Sequence, residues 1–275
     1  MNIALRNLSF SVKNKTLLQA IDHVFHAGRL TALVGGNGAG KSTLIKLLSG
    51  EYKPTTGETH WNGQNAKQMS ARTLACQRGV FTQRISMSLN FPVEEVVLMG
   101  RYPHFDTTPS IHDRRVVNEV MQKFEIAHLA GQNFQQLSGG EQQRVHLARV
   151  FAQVCRNDRE PTLLLLDEPL NNLDVRHQFS LLEHLRTYVE AGNMAILVIH
   201  DLNLAARFAD YLLLLHEGRL IAKGVPEEVI TEKNLSHAYQ FPVKVYREQG
   251  HPHPQIQFGI EPENISTTRL KTLFA

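Results

Sequence analysis

The sequence predicts a mixed α/β fold: a largely parallel sheet covered by helices, an antiparallel β part, and an inserted helical segment. Three observations predict it. The apolar runs at 30–34, 163–166 and 194–199 show no apolar–polar alternation, and a strand apolar on both faces belongs inside a parallel sheet. Residues 86–160 carry helical periodicity and almost no strand signal. A glycine-rich turn, Gly35 to Gly40, joins the first apolar run to a helical stretch at 42–48.

Each element follows from local pattern. Residues 3–12 alternate as an antiparallel strand, Asn14-Lys15 turns the chain, and 17–25 form a second strand. Pro54 to Glu58 is a turn, 59–61 an edge strand ended by Asn62-Gly63, and 78–83 a strand ending in a polar residue. Helices are expected at 93–99, capped near Asn90, at 113–124, and at 139–154. In the second one Val116, Val117, Val120, Met121 and Phe124 share a face. After the strand at 163–166 comes a helix at 175–191 with Asp174 as N-cap, then the strand at 194–199 and a short helix at 202–208. A hairpin pairs 211–216 with 219–222 across Glu217-Gly218, and Pro226 opens a short helix at its first position. The pattern fades after about residue 247. The expected organisation is one domain over 1–247, with a core of 1–85 and 161–247, a helical subdomain of 86–160, and a solvated tail of 248–275 that includes His251-Pro252-His253.

Composition narrows the function. A net charge of +3 over 275 residues is too mild for a nucleic-acid partner, which calls for a concentrated basic stripe. The first residues lack the charged start and long apolar core of a signal peptide, and no apolar run reaches the length of a membrane span, so any membrane link is expected through a partner. Cys76 and Cys155 are isolated, which points away from a disulfide framework and from a zinc site.

The turn reads Gly35-Gly36-Asn37-Gly38-Ala39-Gly40-Lys41-Ser42-Thr43, the phosphate-loop pattern G-x-x-x-x-G-K-S/T of P-loop NTPases. A triphosphate needs backbone N–H groups turned inward around its oxygens, which favours glycine where φ is positive. Lys41 supplies a point charge for the β- and γ-phosphates, Ser42 a hydroxyl for Mg2+, and the helix N-terminus faces the phosphates. Asp167-Glu168 ends the leucine strand. In an open parallel sheet ligands bind at the carboxyl ends of strands, so we assign Asp167 to the metal and Glu168 to the attacking water. Ser138 and Glu141 in Leu137-Ser138-Gly139-Gly140-Glu141 form an S-x-x-E capping box whose bare backbone makes a second anion site. Gln83 is a polar amide after an apolar strand. His200 follows another strand's carboxyl end, where it can reach a γ-phosphate.

In this order and spacing the motifs resemble the ATP-binding cassette of ABC transporters over about residues 1–245; LSGGEQQR at 137–144 is that family's signature. The resemblance implies an ABC-type nucleotide-binding domain that binds ATP and Mg2+. It implies Walker A contacts at Gly35, Asn37, Gly38, Gly40, Lys41, Ser42 and Thr43, a Q-loop at Gln83 reaching the metal and the γ-phosphate, and signature contacts at Ser138, Gly139 and Gly140. It further implies Asp167 as the Walker B acid, Glu168 as catalytic base, Asn172 to Asp174 as the D-loop, and His200 as the switch histidine. The family works as a head-to-tail homodimer, each ATP lying between one chain's Walker A and the other's signature. Two departures stand out: Val12 takes the position where an aromatic residue stacks on adenine while Phe10 suits the core, and the D-loop reads Asn171-Asn172-Leu173-Asp174 where Ser-Ala-Leu-Asp is common.

Val96 to His104 is similar to the stretch after the Q-loop in ATPases of iron-siderophore, hemin and cobalamin importers. Residues 142–153, with the polar segment 155–161, look most like the hemin import ATPases. This implies two permease subunits as partners, indirectly a periplasmic hemin-binding protein, no nucleic acid, and a peripheral place on the cytoplasmic face of the inner membrane. Docking on the permease is expected around 83–104, with Arg101 and Tyr102 as contacts.

Overall fold

The structure is a computed structural model that describes residues 1–82, 90–156, 160–247 and 252–259. The chain begins with β1 (Asn2–Val12), β2 (Lys15–His26) and β3 (Arg29–Val34), passes through α1 (Lys41–Leu48), and continues with β4 (Thr56–Trp61), β5 (Gln64–Asn65), α2 (Ala71–Gln77) and β6 (Arg78–Phe81). The helical stretch holds α3 (Val93–Leu98), α4 (Ile111–Lys123) and α5 (Gly139–Val154). The chain then returns to β7 (Leu163–Asp167), α6 (Val175–Glu190), β8 (Met194–Val198), α7 (Leu202–Phe208), β9 (Tyr211–His216) and β10 (Arg219–Gly224). It closes with α8 (Pro226–Val229), α9 (Glu232–Tyr239), β11 (Val243–Tyr246) and β12 (Gln255–Phe258). Among these described helices none is long and apolar enough to cross a membrane.

Three sheets result. β2-β1-β4-β5 is antiparallel, and the central six-stranded sheet runs β10-β9-β3-β8-β7-β6, parallel throughout except for the β9–β10 hairpin. The central strands are apolar on both faces because each face meets its own layer. Leu164 and Leu166, with Ala195 and Leu197, belong to a core shared with α3–α7. Leu163 and Leu165, with Met194, Ile196 and Val198, belong to a second core shared with α1 and the antiparallel sheet. The two-residue period of a strand divides one apolar run between two cores.

Several expected boundaries move for physical reasons. α3 is not capped near Asn90. Its N-cap is Pro92 with no side-chain cap, and the first N–H groups reach carbonyls across the fold: Val93 donates to Gln132 O at 3.0 Å and Glu94 to Ala130 O at 3.1 Å. α4 starts two residues before the expected 113, because Asp113 is the N3 residue of a capping box with Ser110 rather than the first helical residue. The strand expected over 78–83 is observed over Arg78–Phe81, and Gln83 lies outside the described residues.

The stretch expected to be a solvated tail includes β12, which pairs antiparallel with β11. Ile256 is buried, and its N–H and C=O both bond to the Asn203 side chain, at 2.8 and 3.2 Å. A four-residue strand with one buried side chain carries too little apolar periodicity to be read from sequence.

Arg101 is also placed differently from the expectation of an exposed permease contact. It is 2% exposed. Its Nε donates to Asp113 at 2.9 Å and its Nη1 to the carbonyls of Ala152 and Cys155, so it ties the turn after α3 to α4 and α5. Gly100 beside it lies so close to α5 that a Cβ there would stand 2.1 Å from Arg149 O. Tyr102, by contrast, is 55% exposed.

Candidate functional site

The phosphate loop leaves β3, an interior strand, at its carboxyl end. Gly35 has φ 143°, and a Cβ there would lie 2.1 Å from Leu215 O of β9, so only glycine fits this passage. Its N–H donates to Tyr239 Oη on α9 at 3.1 Å. Asn37 is exposed and Gly38 has φ 77°, while Gly40, at φ 103°, is the N-cap of α1 with no side-chain cap, so the first helical N–H groups stay open toward the loop. Lys41 opens α1 and is nearly buried; its Nζ donates to Gly35 O at 2.7 Å and Gly36 O at 2.9 Å, curling back across the loop. Burial lowers its pKa, and the charges of Glu168 and Asp167 oppose that fall.

Parallel pairing brings the next residues beside the loop. β7 ends at Asp167 in register with Val198 of β8, which in turn lies beside Leu33 of β3. Ser42 Oγ donates to Asp167 Oδ1 at 2.9 Å. Thr43 follows on α1. Burial pushes the Asp167 carboxyl above its usual range, the Ser42 hydroxyl opposes this, and the neighbouring Glu168 charge adds to it.

Glu168 sits just beyond β7 at φ 53°, a left-handed conformation uncommon for a residue with a side chain. His200 Nε2 lies 2.7 Å from its Oε1, and Asn171 Nδ2 donates to its Oε2 at 2.7 Å. Burial alone would raise this carboxyl, but the hydrogen bond and charge of His200, with Asn171 and Lys41, hold it below the usual range. The structure thus brings together Lys41, Ser42, Asp167, Glu168 and His200.

Ser138 and Asp174 are built as helix caps elsewhere. Ser138 caps α5 through a reciprocal box with Glu141, and Gly139 and Gly140 begin the helix with bare backbone. Asp174 caps α6 by accepting from His177 N–H at 2.9 Å, and it also pairs with the His177 ring, which contacts Arg144. Among the described residues, the hydrogen bonds of Ser138 and Asp174 do not reach the phosphate loop. Two links across the site had no sequence signal, Tyr239 to Gly35 and Gln143 Nε2 to Pro169 O at 2.6 Å, because their partners are distant in the chain. Asn171 did carry a clue: it is an amide where serine is usual.

Comparison with known proteins decides the family. The family described as ABC transporter matches residues 18–171, more than half of the chain. The chain belongs to that family. As an ATP-binding cassette it is an ATPase. The cassette is 42% identical to the hemin import ATP-binding protein HmuV of Gloeobacter violaceus, over 87% of this chain and 86% of that protein. It is 38% identical to HmuV of Bordetella avium, over 93% of this chain and 96% of that one. Among solved structures it is similar to a metal-chelate type ABC transporter in an inward-facing conformation. The TM-score is 0.76 and the identity 27%, with 94% of this chain and 96% of that one covered.

Two residues near the stretch where the resemblance implies adenine stacking are placed as follows. Val12 is 47% exposed, and Phe10 stacks on Tyr52 with ring centroids 5.0 Å apart.

Proposed function

We propose that this cassette is the ATP-hydrolysing subunit of a hemin importer, and that its site residues act as follows. Lys41 and the loop N–H groups bind the β- and γ-phosphates. Glu168 orients the attacking water and accepts its proton, while the γ-phosphorus–oxygen bond to ADP breaks. The observation that supports this is the placement of the Glu168–His200 pair beside the Ser42–Asp167 pair at one end of the sheet. His200 and Asn171 keep Glu168 ionised near neutral pH, as an acceptor of that proton must be. When ATP is present, His200 bridges Glu168 and the γ-phosphate, and Gln83 senses the same phosphate.

The donor set suits Mg2+: a hydroxyl and a carboxylate oxygen lie side by side, and a hard cation takes further oxygens from phosphate and water. Ser42 and Asp167 would hold it, with Gln83, and it would neutralise charge developing on the phosphates.

Two copies assemble head to tail, so that Ser138, Gly139, Gly140 and Asp174 of one chain face the nucleotide on the other chain's phosphate loop. Closure on ATP draws together two permease subunits on the cytoplasmic face of the inner membrane, fed by a periplasmic hemin-binding protein. The hemin assignment rests on the names of the relatives at 38–42% identity. The similar metal-chelate transporter supports an alternative cargo of the ferric-siderophore kind.

Glu168→Gln should keep ATP binding and lose about 10²–10⁴-fold in turnover; hydrolysis within a few-fold of the parent would refute the assigned base. A strain lacking this chain should fail to grow on hemin and still grow on ferric siderophore. The reverse pattern would reassign the cargo.

A further inference from the structure

The segment that caps α6 lies against the start of α5: a Cβ on Gly140 would stand 3.2 Å from Asn172 O. One imidazole ring joins the two helices. His177, in the first turn of α6, meets Arg144 Nη1 of α5 at its Nε2, and Asp174 Oδ1 at its Nδ1, the latter at 2.7 Å. Asp174 Oδ1 also accepts from the His177 backbone N–H at 2.9 Å. A second tie between α5 and this segment, Gln143 Nε2 to Pro169 O, has no ionisable group in it.

The polarity of these bonds fixes the proton. A guanidinium donates and never accepts, so Arg144 needs a lone pair on His177 Nε2. An ionised carboxylate accepts and never donates, so Nδ1 carries the hydrogen. His177 therefore bridges a cation and an anion in one state only, neutral with its proton on Nδ1. A second proton, on Nε2, keeps the Asp174 bond but sets N–H against N–H at Arg144 and puts two cations in contact. Arg144 depends on the bridge: its Nε is buried without a partner, and the bond to His177 is its one hydrogen bond among the described residues. The two His177 donors hold the Asp174 carboxyl below its ordinary range, and the Arg144 charge adds to this. The other charged or titratable groups around the ring have their own contacts. Glu125, after α4, pairs with Arg176; His184, two turns on along α6, donates to Lys123 O at 3.1 Å; the Lys123 ammonium lies over the Phe151 ring; and Glu141, one turn before Arg144, pairs with Ser138.

We propose that His177 is a positioning residue that locks the signature helix to the D-loop, and that a second proton on its ring opens the lock and weakens the ATP-bound dimer. This rests on the head-to-tail arrangement proposed above, in which Ser138 and Asp174 of one chain act on the other chain's nucleotide. With the bridge made, the caps of α5 and α6 meet that nucleotide as one body. With Nε2 protonated, the Arg144 end of the bridge opens, and part of the binding energy goes into realigning the two helices. Histidine ordinarily changes charge between about pH 5 and 8, so acid is the perturbation that reads the lock.

The test uses the full-length chain carrying Glu168→Gln, with Mg-ATP, and follows its dimerisation by analytical ultracentrifugation at pH 8 and pH 5.5. His177→Gln offers an amide oxygen to Arg144 and an amide N–H to Asp174, and it takes up no proton in this range. It should match the parent at pH 8 and at pH 5.5 dimerise about tenfold more tightly than the parent, the worth of one hydrogen bond to a charged group. His177→Leu should weaken the dimer about tenfold already at pH 8. Arg144→Met should do the same, and the two changes together should cost no more than either alone, because both break one bridge. The affinity of the monomeric chain for Mg-ATP should stay unchanged in every variant, which a general loss of structure would not allow. His177→Gln decides the matter even if His177→Leu fails to fold. Absence of any ATP-dependent dimer in the parent at both pH values would overturn the head-to-tail reading, and the lock with it. A parent dimer that weakens in acid no more than the His177→Gln dimer would overturn the lock alone, and so would additive losses in the double variant.

Discussion

Replacing Arg101 by Met tests whether this residue holds the helical part of the cassette together. Arg101 is 2% exposed, and the substitution keeps most of its apolar stem while removing the guanidinium. Three interactions go with it: the ion pair with Asp113 at 2.9 Å and the bonds to the carbonyls of Ala152 and Cys155. Asp113 stays behind, 4% exposed, still bonded to Ser110 but without its cation. Breaking one side of a buried ion pair costs about 3–5 kcal/mol, because the remaining charge is desolvated and uncompensated. The Arg101 bond, after those from Ser110, helps hold the Asp113 carboxyl below its ordinary range against the burial that pushes it up. Urea denaturation should show that loss, and the melting temperature should fall by about 6–20 °C. The double variant Arg101→Met, Asp113→Asn should recover part of the loss, since the stranded charge is then gone. A destabilisation under about 1 kcal/mol, with transport lost in a normally stable protein, would refute the reasoning and return Arg101 to the permease interface.

Other outcomes follow from the nucleotide site. Asp167→Asn should stabilise the nucleotide-free cassette by about 0.5–2 kcal/mol while nucleotide-dependent stabilisation disappears, both read from melts with and without Mg-ATP. The sign follows from the raised carboxyl: from the ordinary Asp value of about 3.9 up to the higher folded value, the native state holds the extra proton, so stability falls as pH rises through that window and stays lowered above it. Glu168 behaves oppositely. Its folded pKa is depressed, so its contribution is complete above the ordinary Glu value of about 4.3 and is lost as pH falls through the folded value; His200→Ala should shrink that acid-side loss in a pH series of urea midpoints. Tyr239→Phe removes the acceptor of the Gly35 N–H and should cost about 1 kcal/mol in the nucleotide-free state, measured by thermal melting; an unchanged melt would remove that bond from the account of the loop.

The sequence by itself determined what is local. The glycines, Lys41 and Ser42 are contiguous, and the turn they make follows from backbone conformations that only glycine enters freely. The capping box of Ser138 and Glu141 is a three-residue spacing, legible in one helical turn. The all-apolar strands announced a buried parallel sheet, because alternation disappears only when both faces are covered. What the tertiary structure alone decided depends on partners far apart in the chain. That Arg101 is a buried tie and not a surface contact depends on carbonyls about fifty residues away. The holding of Glu168 by His200 and of Gly35 by Tyr239, and the packing of Ile256 on Asn203, depend on which strands and helices become neighbours. A charged or polar side chain looks the same in sequence whether water or a distant backbone carbonyl satisfies it; only the fold assigns the partner.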